Sequence, residues 1–266
     1  MSVAVILFPG TNCENESVRA LQAVGLEAEI IRWNTSKDVS AYDGYLIPGG
    51  WSYEDRIRAG AIAAQDPLML KIKEEAKKGK PVIGICNGCQ VLIETGIIPG
   101  LKDKVQMALA PNIRDYPSGF YCTWVNIKNS SKVCKFNSEL SKDEVIPIPI
   151  AHGEGRFTTA NKSLLEELQK NDQIAFVYCD SKGEVKNRFD VNPNSSELNI
   201  AGICNKEGNV LAMMPHPERG SFNRQVPGFK GDFNESESLA PAAKILQAMV
   251  KIKSQISGMS KNQESF

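Results

Sequence analysis

Histidine is scarce in this chain, with two residues in 266, His152 and His216. Seven cysteines are scattered at positions 13, 86, 89, 122, 134, 179 and 204 and form one closely spaced pair, so a metal centre is not expected. The odd count argues against a disulfide framework. The first residues lack the charged-then-apolar pattern of a signal peptide, and a reducing, cytoplasmic setting is expected. Excess charge of one sign is missing too, because Lys plus Arg and Asp plus Glu both number 31 and no long basic run occurs. Nucleic acid and anionic membrane surfaces are therefore excluded as partners. No apolar run approaches the ~20 residues that span a bilayer. Neither a Gly-x-x-x-x-Gly-Lys-Ser/Thr loop nor a complete Gly-x-Gly-x-x-Gly is found, so no nucleotide-binding loop and no cofactor are assigned to the chain.

What is present is an ordinary packed core, 42% apolar, in which short apolar runs alternate with amphipathic segments. Strands are expected at residues 3–8, 28–33, 44–47 and 82–85, with helices at 15–24, 67–78 and 86–94 between or after them. That alternation implies an α/β fold with a largely parallel sheet and helices on both faces. After Gly100 further strands are expected at 121–127, 145–150, 174–178, 200–204 and 210–214, several of them antiparallel additions, with a helix at 162–170. Lys206-Glu207-Gly208 fits a hairpin turn between the last two. No linker or repeat divides the chain, so residues 1–253 read as one domain, with a final helix at 239–252 and a flexible tail at 254–266.

The chemistry gathers at Pro81-Val-Ile-Gly-Ile-Cys-Asn-Gly-Cys-Gln90. Gly84 and Gly88 flank Cys86 two residues away on each side, the pattern of a nucleophile elbow, in which a strand turns so sharply into a helix that flanking side chains would collide. A thiol there is raised out of the sheet and favoured as a thiolate by the helix N-terminus. Two other readings compete: a buried structural cysteine, and a Cys86-x-x-Cys89 redox pair. In open α/β sheets function gathers at the carboxyl ends of strands, where Pro9-Gly10-Thr11-Asn12 and Gly49-Gly50 also fall. The backbone N–H groups of Gly50 and Asn87 are a candidate oxyanion pair.

A cysteine nucleophile needs an imidazole base and a group that orients it. Each histidine here is followed two residues later by a glutamate, in Ala-His152-Gly-Glu154-Gly and Pro-His216-Pro-Glu218. Spacing does not separate them. Rigidity favours His216, held by two prolines after an apolar strand, over His152 in a glycine-rich loop read as flexible.

Six motifs carry a resemblance: Phe-Pro-Gly-Thr-Asn-Cys (8–13), Pro-Gly-Gly-Trp-Ser-Tyr-Glu-Asp (48–55), Arg-Ala-Gly-Ala-Ile-Ala-Ala (58–64), Gly-Ile-Cys-Asn-Gly-Cys-Gln (84–90), Ala-His-Gly-Glu-Gly-Arg-Phe (151–157) and Met-Pro-His-Pro-Glu-Arg (214–219). In this order they closely resemble the glutaminase subunits of phosphoribosylformylglycinamidine synthase, which belong to the triad class of glutamine amidotransferases. The resemblance implies a class I glutamine amidotransferase-like, flavodoxin-like fold. It implies Cys86 as nucleophile, His216 as base, Glu218 as its orienter, Gly50 and Asn87 as oxyanion donors and Gln90 as a contact to the substrate glutamine. His152 is placed near the site or a partner surface without a role. Glutamine would be hydrolysed to glutamate and ammonia through a cysteine thioester. An ATP- and Mg-dependent synthetase subunit, with a small accessory subunit of the same complex, would use the ammonia to make formylglycinamidine ribonucleotide in purine biosynthesis. The sequence departs from the family at Cys89, usually aromatic, at Glu54, usually Gly, and at Arg56, usually Tyr. The remaining alternatives are a thiol redox protein and a non-catalytic scaffold subunit.

Overall fold

The computed structural model describes residues 1–102, 104–113 and 119–263. The order along the chain is β1 (Ser2–Leu7), α1 (Glu14–Ala23), β2 (Glu27–Arg32), β3 (Gly44–Ile47), α2 (Pro67–Lys77), β4 (Val82–Ile85), α3 (Asn87–Glu94) and β5 (Ala108–Ala110). Then follow β6 (Tyr121–Asn129), β7 (Val145–His152), β8 (Arg156–Thr158), α4 (Lys162–Lys170), β9 (Ile174–Cys179), β10 (Ile200–Cys204), β11 (Val210–Met213), α5 (Phe233–Ser236) and α6 (Ala243–Gln263).

Nine strands form one sheet in the order β2-β1-β3-β4-β11-β10-β9-β6-β7, while β5 and β8 pair separately. From β2 through β11 every pairing is parallel, and from β11 through β7 every pairing is antiparallel. The inner parallel strands β3, β4 and β11 are short apolar runs buried at both faces, as a sheet covered by helices on each side requires. Two glycines show the coverage. A side chain at Gly44 would meet Met249 of α6, whereas one at Gly84 would meet Leu92 of α3, and Gly84 is in register with Ile47 at the other end of β3. Helices α6 and α3 thus cover opposite faces of the sheet. At the far edge β7 carries Pro147 and Pro149 on alternate positions, which an edge strand tolerates because one side of its ladder is unpaired. Ile146, Ile148 and Ile150 fill the other face.

Most expected elements appear within two residues of their expected ends, and the expected hairpin joins antiparallel β10 and β11 through Gly208 at φ 74°. Four features differ. The three-residue strands β5 and β8 and the four-residue helix α5 were not expected. His152 is not in a loop: it is the last residue of β7, and it is buried. The physical reason is Asn112, whose side chain donates to His152 O (2.9 Å) and accepts from Gly155 N (3.1 Å), so a residue forty positions away fixes the glycine-rich turn. The final helix begins at Ala243 rather than 239, because Leu239 forms a bridge with Phe222 and Pro241 follows, and it continues to Gln263 rather than 252. It therefore overlaps the segment 254–266 read as a tail, of which 264–266 lie outside the described residues. Among the described residues no helix is long and apolar enough to cross a membrane.

Helix α3 is buried at all eight residues and its first turn sits directly on the sheet. A Cβ on Gly88 would lie 1.9 Å from Ile47 O, and one on Gly84 would lie 2.4 Å from Gly88 O. Gly88→Ala should therefore push α3 off β3 and destabilise the fold by about 2–4 kcal/mol, as overpacking against rigid backbone does. A thermal melt of the variant is expected to shift down by several degrees; an unchanged melt would contradict this seating.

Candidate active site

The β4-to-α3 corner places a cysteine in a conformation that the chain rarely adopts. Cys86 has φ 54° and ψ −107°, left-handed for a residue that bears a side chain, and α3 starts at the next residue. The carboxyl ends of β1, β3 and β4 and the segment beyond β11 meet around it. They enclose a cavity of about 230 Å³ whose lining includes Cys13, Gly50, Cys86, Gln90, Glu154 and His216.

His216 follows β11 and is fixed at its backbone, where its N–H donates to Pro149 O at 2.8 Å. Its Nδ1 lies 2.6 Å from Glu218 Oε1, and both side chains are buried. The bond to the carboxylate puts the proton of the neutral ring on Nδ1 and leaves Nε2 as the acceptor. Among the described residues Nε2 has no hydrogen bond of ordinary geometry, although the thiols of Cys86 and Cys13 both lie against the ring. Burial opposes the imidazolium, but the Glu218 carboxylate and then the Cys86 thiolate outweigh it and hold His216 well above the usual imidazole range. Both Cys86 and Cys13 come close because Gly49 has no side chain. A Cβ there would lie 2.9 Å from His216 Cε1, 3.1 Å from Cys13 Sγ and 3.3 Å from Cys86 Cβ.

The second histidine behaves differently. His152 is buried beside the same cavity, yet neither ring nitrogen has a partner among the described residues, Glu154 included. Burial, reinforced by nearby His216, pushes its imidazole down to about 3. It is a neutral ring at ordinary pH. Of the two His-x-Glu pairs, one is bonded and the other is not.

Neither of the two expected oxyanion donors, Gly50 N and Asn87 N, has a backbone acceptor among the described residues. Trp51 N donates to Gly10 O (2.9 Å) and Asn12 N to Gly49 O (3.2 Å), so Gly50, facing Thr11, is the residue of the bridge whose own N–H takes no part. Asn87 N is the first N–H of α3, without an acceptor inside the helix. The side chains behind them form a chain of contacts. Asn87 Oδ1 accepts from Ser52 N (3.0 Å), its Nδ2 donates to Asp55 Oδ1 and Gln90 Oε1 (both 3.0 Å), and Gln90 Nε2 donates to Glu154 O (2.8 Å). Gln90 thus lines the cavity while bracing Asn87 against the β7–β8 turn.

The redox reading does not fit this geometry. Cys89 lies inside α3 and is fully buried, and burial, followed by the Cys86 charge, pushes its thiol well above the ordinary value. Sequence reasoning missed Cys13, Asp55 and Glu154 as parts of the site, although all three fall inside motifs quoted above. Their signal was position at strand ends, not residue type. Glu54 stands at φ 58°, between Tyr53 at 54° and Asp55 at 51°, so its departure from glycine places a side chain in a left-handed turn. Arg56 pairs with Glu54 at 2.7 Å on the surface. At the cavity mouth the exposed rings of Trp51 and Phe120 stack with centroids 5.9 Å apart.

Burial, and next the Glu154 carboxylate, raise the Asp55 carboxyl to about 6, against a partial opposing effect of the Asn87 amide. The folded protein therefore holds this proton more tightly than the unfolded chain. The stability it contributes is present below about pH 4 and is lost as pH rises through 6. Discounted for partial exposure, the loss should be about 1–2 kcal/mol. Urea midpoints measured from pH 4 to 7.5 should fall more for the natural protein than for Asp55→Asn. Parallel curves would contradict the assignment.

Comparison with known proteins places this geometry among relatives. Residues 1–252 match the CobB/CobQ-like glutamine amidotransferase domain. Phosphoribosylformylglycinamidine synthase subunit PurQ of Methanothrix thermoacetophila is 48% identical over 235 residues, covering 85% of this chain and 89% of the relative. The subunit of the same name from Aquifex aeolicus is 45% identical over 222 residues, covering 83% and 92%. Among solved structures, PurLQS from Thermotoga maritima superposes with a TM-score of 0.71 at 31% identity, covering 94% of this chain and 97% of the matched one. The Trypanosoma brucei CTPS glutaminase domain with bound acivicin shares the fold, with a TM-score of 0.55 at 13% identity over 96% and 94%.

Proposed function

Because the chain belongs to the CobB/CobQ-like glutamine amidotransferase family, we propose that it is the glutaminase subunit of a phosphoribosylformylglycinamidine synthase in purine biosynthesis. The observation that carries the mechanism is the carboxylate-oriented imidazole with an open Nε2 that lies beside the Cys86 thiol at the start of a helix. Glutamine enters the 230 Å³ cavity side chain first. Its α-ammonium faces Asp55 and Glu154, the two carboxylates that share the lining, and Gln90 fixes the wall between them.

Cys86 gives its proton to His216 Nε2 and attacks the side-chain amide carbon. The carbonyl oxygen becomes an oxyanion held by Gly50 N–H and Asn87 N–H, donors already fixed in place by the bridge and the helix start. His216 passes its proton to the departing amine, releasing ammonia and leaving a γ-glutamyl thioester. Water, deprotonated by His216, then frees glutamate. Glu218 stabilises the imidazolium at both stages without itself taking the proton. ATP and Mg are used by the synthetase subunit that receives the ammonia, and a small accessory subunit completes the complex. Net charge of zero and the absence of a basic run argue against nucleic acid and anionic membrane as partners, and we read the protein as cytoplasmic.

In complex with the synthetase, Cys86→Ala should lower glutamate release from glutamine by at least about 10³-fold, while Cys89→Ser should keep most of it. Equal losses would favour the cysteine pair instead, and full turnover by Cys86→Ala would sink the glutaminase reading.

A further inference from the structure

Cys13 is a second buried thiol at the catalytic imidazole, and the mechanism does not use it. Its Sγ, a ring nitrogen of His216 and a carboxylate oxygen of Glu218 lie within 4.8 Å of one another, all three residues buried. They come from distant parts of the chain: Cys13 caps the start of α1 after β1, while His216 and Glu218 follow β11. A second observation concerns the carboxylate. Glu218 Oε1 is taken by His216 Nδ1, but Oε2 is buried without a hydrogen-bond partner among the described residues. Arg219, the adjacent cation in sequence, directs its guanidinium to Glu16 Oε1 at 2.9 and 3.2 Å, and its charge also acts on Cys13 and Glu218. A buried carboxylate oxygen with open valence costs free energy, which a donor or a cation offsets.

We propose that Cys13, His216 and Glu218 form a binding site for a thiophilic divalent ion of the zinc class, and that its occupation turns the catalytic base off. Sulfur, imidazole nitrogen and carboxylate oxygen are the donor set of such ions, at bond lengths of about 2.0–2.3 Å. The ion takes the place of the proton between Nδ1 and Glu218. The Cys13 thiol loses its proton to solvent, metal–sulfur, metal–nitrogen and metal–oxygen bonds form, and nothing is oxidised. The imidazolium gives its Nδ1 proton to solvent as well and keeps the one on Nε2. Nε2 then keeps a proton where thioester hydrolysis needs it to accept one, and the attacking water has no base. Because Cys13 lines the cavity, the ion enters by the glutamine route.

The binding claim is independent of the glutaminase reading, whereas the inhibition rests on it, so the two are measured separately. Binding is read with Cd²⁺ on the full chain carrying Cys122→Ser, which removes the exposed cysteine, through the ultraviolet sulfur-to-cadmium charge-transfer band. One equivalent should saturate the band. Cys13→Ser should abolish it, Glu218→Gln should weaken binding by at least about tenfold, and Cys86→Ala should leave it in place. Inhibition is read as glutamate release by the synthetase complex under Zn²⁺, where Cys13→Ser should raise the half-inhibiting concentration at least about tenfold. A band that survives Cys13→Ser, or that is lost in Cys86→Ala, overturns the site. Zn²⁺ inhibition unchanged by Cys13→Ser overturns the switch.

Discussion

The contact on which the structure depends is backbone against backbone: the first turn of α3 lies so close to β3 and β4 that neither Gly84 nor Gly88 has room for a methyl group. That seating forces the chain through a left-handed turn at Cys86, and the strain is held by a helix whose every residue is buried. Position, orientation and helix-end electrostatics of the thiol all follow from the one constraint. A side chain at either glycine would remove them together.

Around this corner the site is assembled from strand ends rather than from one loop. The parallel half of the sheet delivers Cys13, Gly50 and Cys86, and the turn after β11, where the sheet changes from parallel to antiparallel, delivers His216 and Glu218. The antiparallel half contributes through β7, whose Pro149 carbonyl fixes the His216 backbone and whose Ala151 carbonyl lies 3.5 Å from the Cys86 thiol. Each reactive residue is therefore attached to the sheet through its backbone N–H, His216 to Pro149 O and Cys86 to Met213 O at 2.9 Å, which is how a rigid scaffold keeps catalytic geometry.

Elements whose signal is local were readable from residues alone. β3, β4, β10 and α4 fall on their expected bounds, because apolar runs or a clear helical stripe are bounded there by Gly, Pro or an Asn cap. The elbow was readable for the same reason. What sequence does not contain is the effect of distant partners. His152 in its Gly-Glu-Gly setting reads as mobile until Asn112 fixes the turn, and β5 and β8 are too short to show a period. Between the two His-x-Glu pairs the prolines already favoured His216, but only the fold shows Glu218 bonded to it and His152 without a partner among the described residues. Cys13 and Asp55 escaped because each is an ordinary residue type whose meaning comes from what lies across the cavity.

The central claim is that one thiol, Cys86, forms the bond to glutamine. It is tested most directly by treating the chain, in complex with its synthetase subunit, with a diazo-ketone glutamine analogue and mapping the adduct by peptide mass spectrometry. The account predicts a single adduct, on Cys86, that excess glutamine prevents. An adduct on Cys13 or Cys89, or none on Cys86, would contradict it.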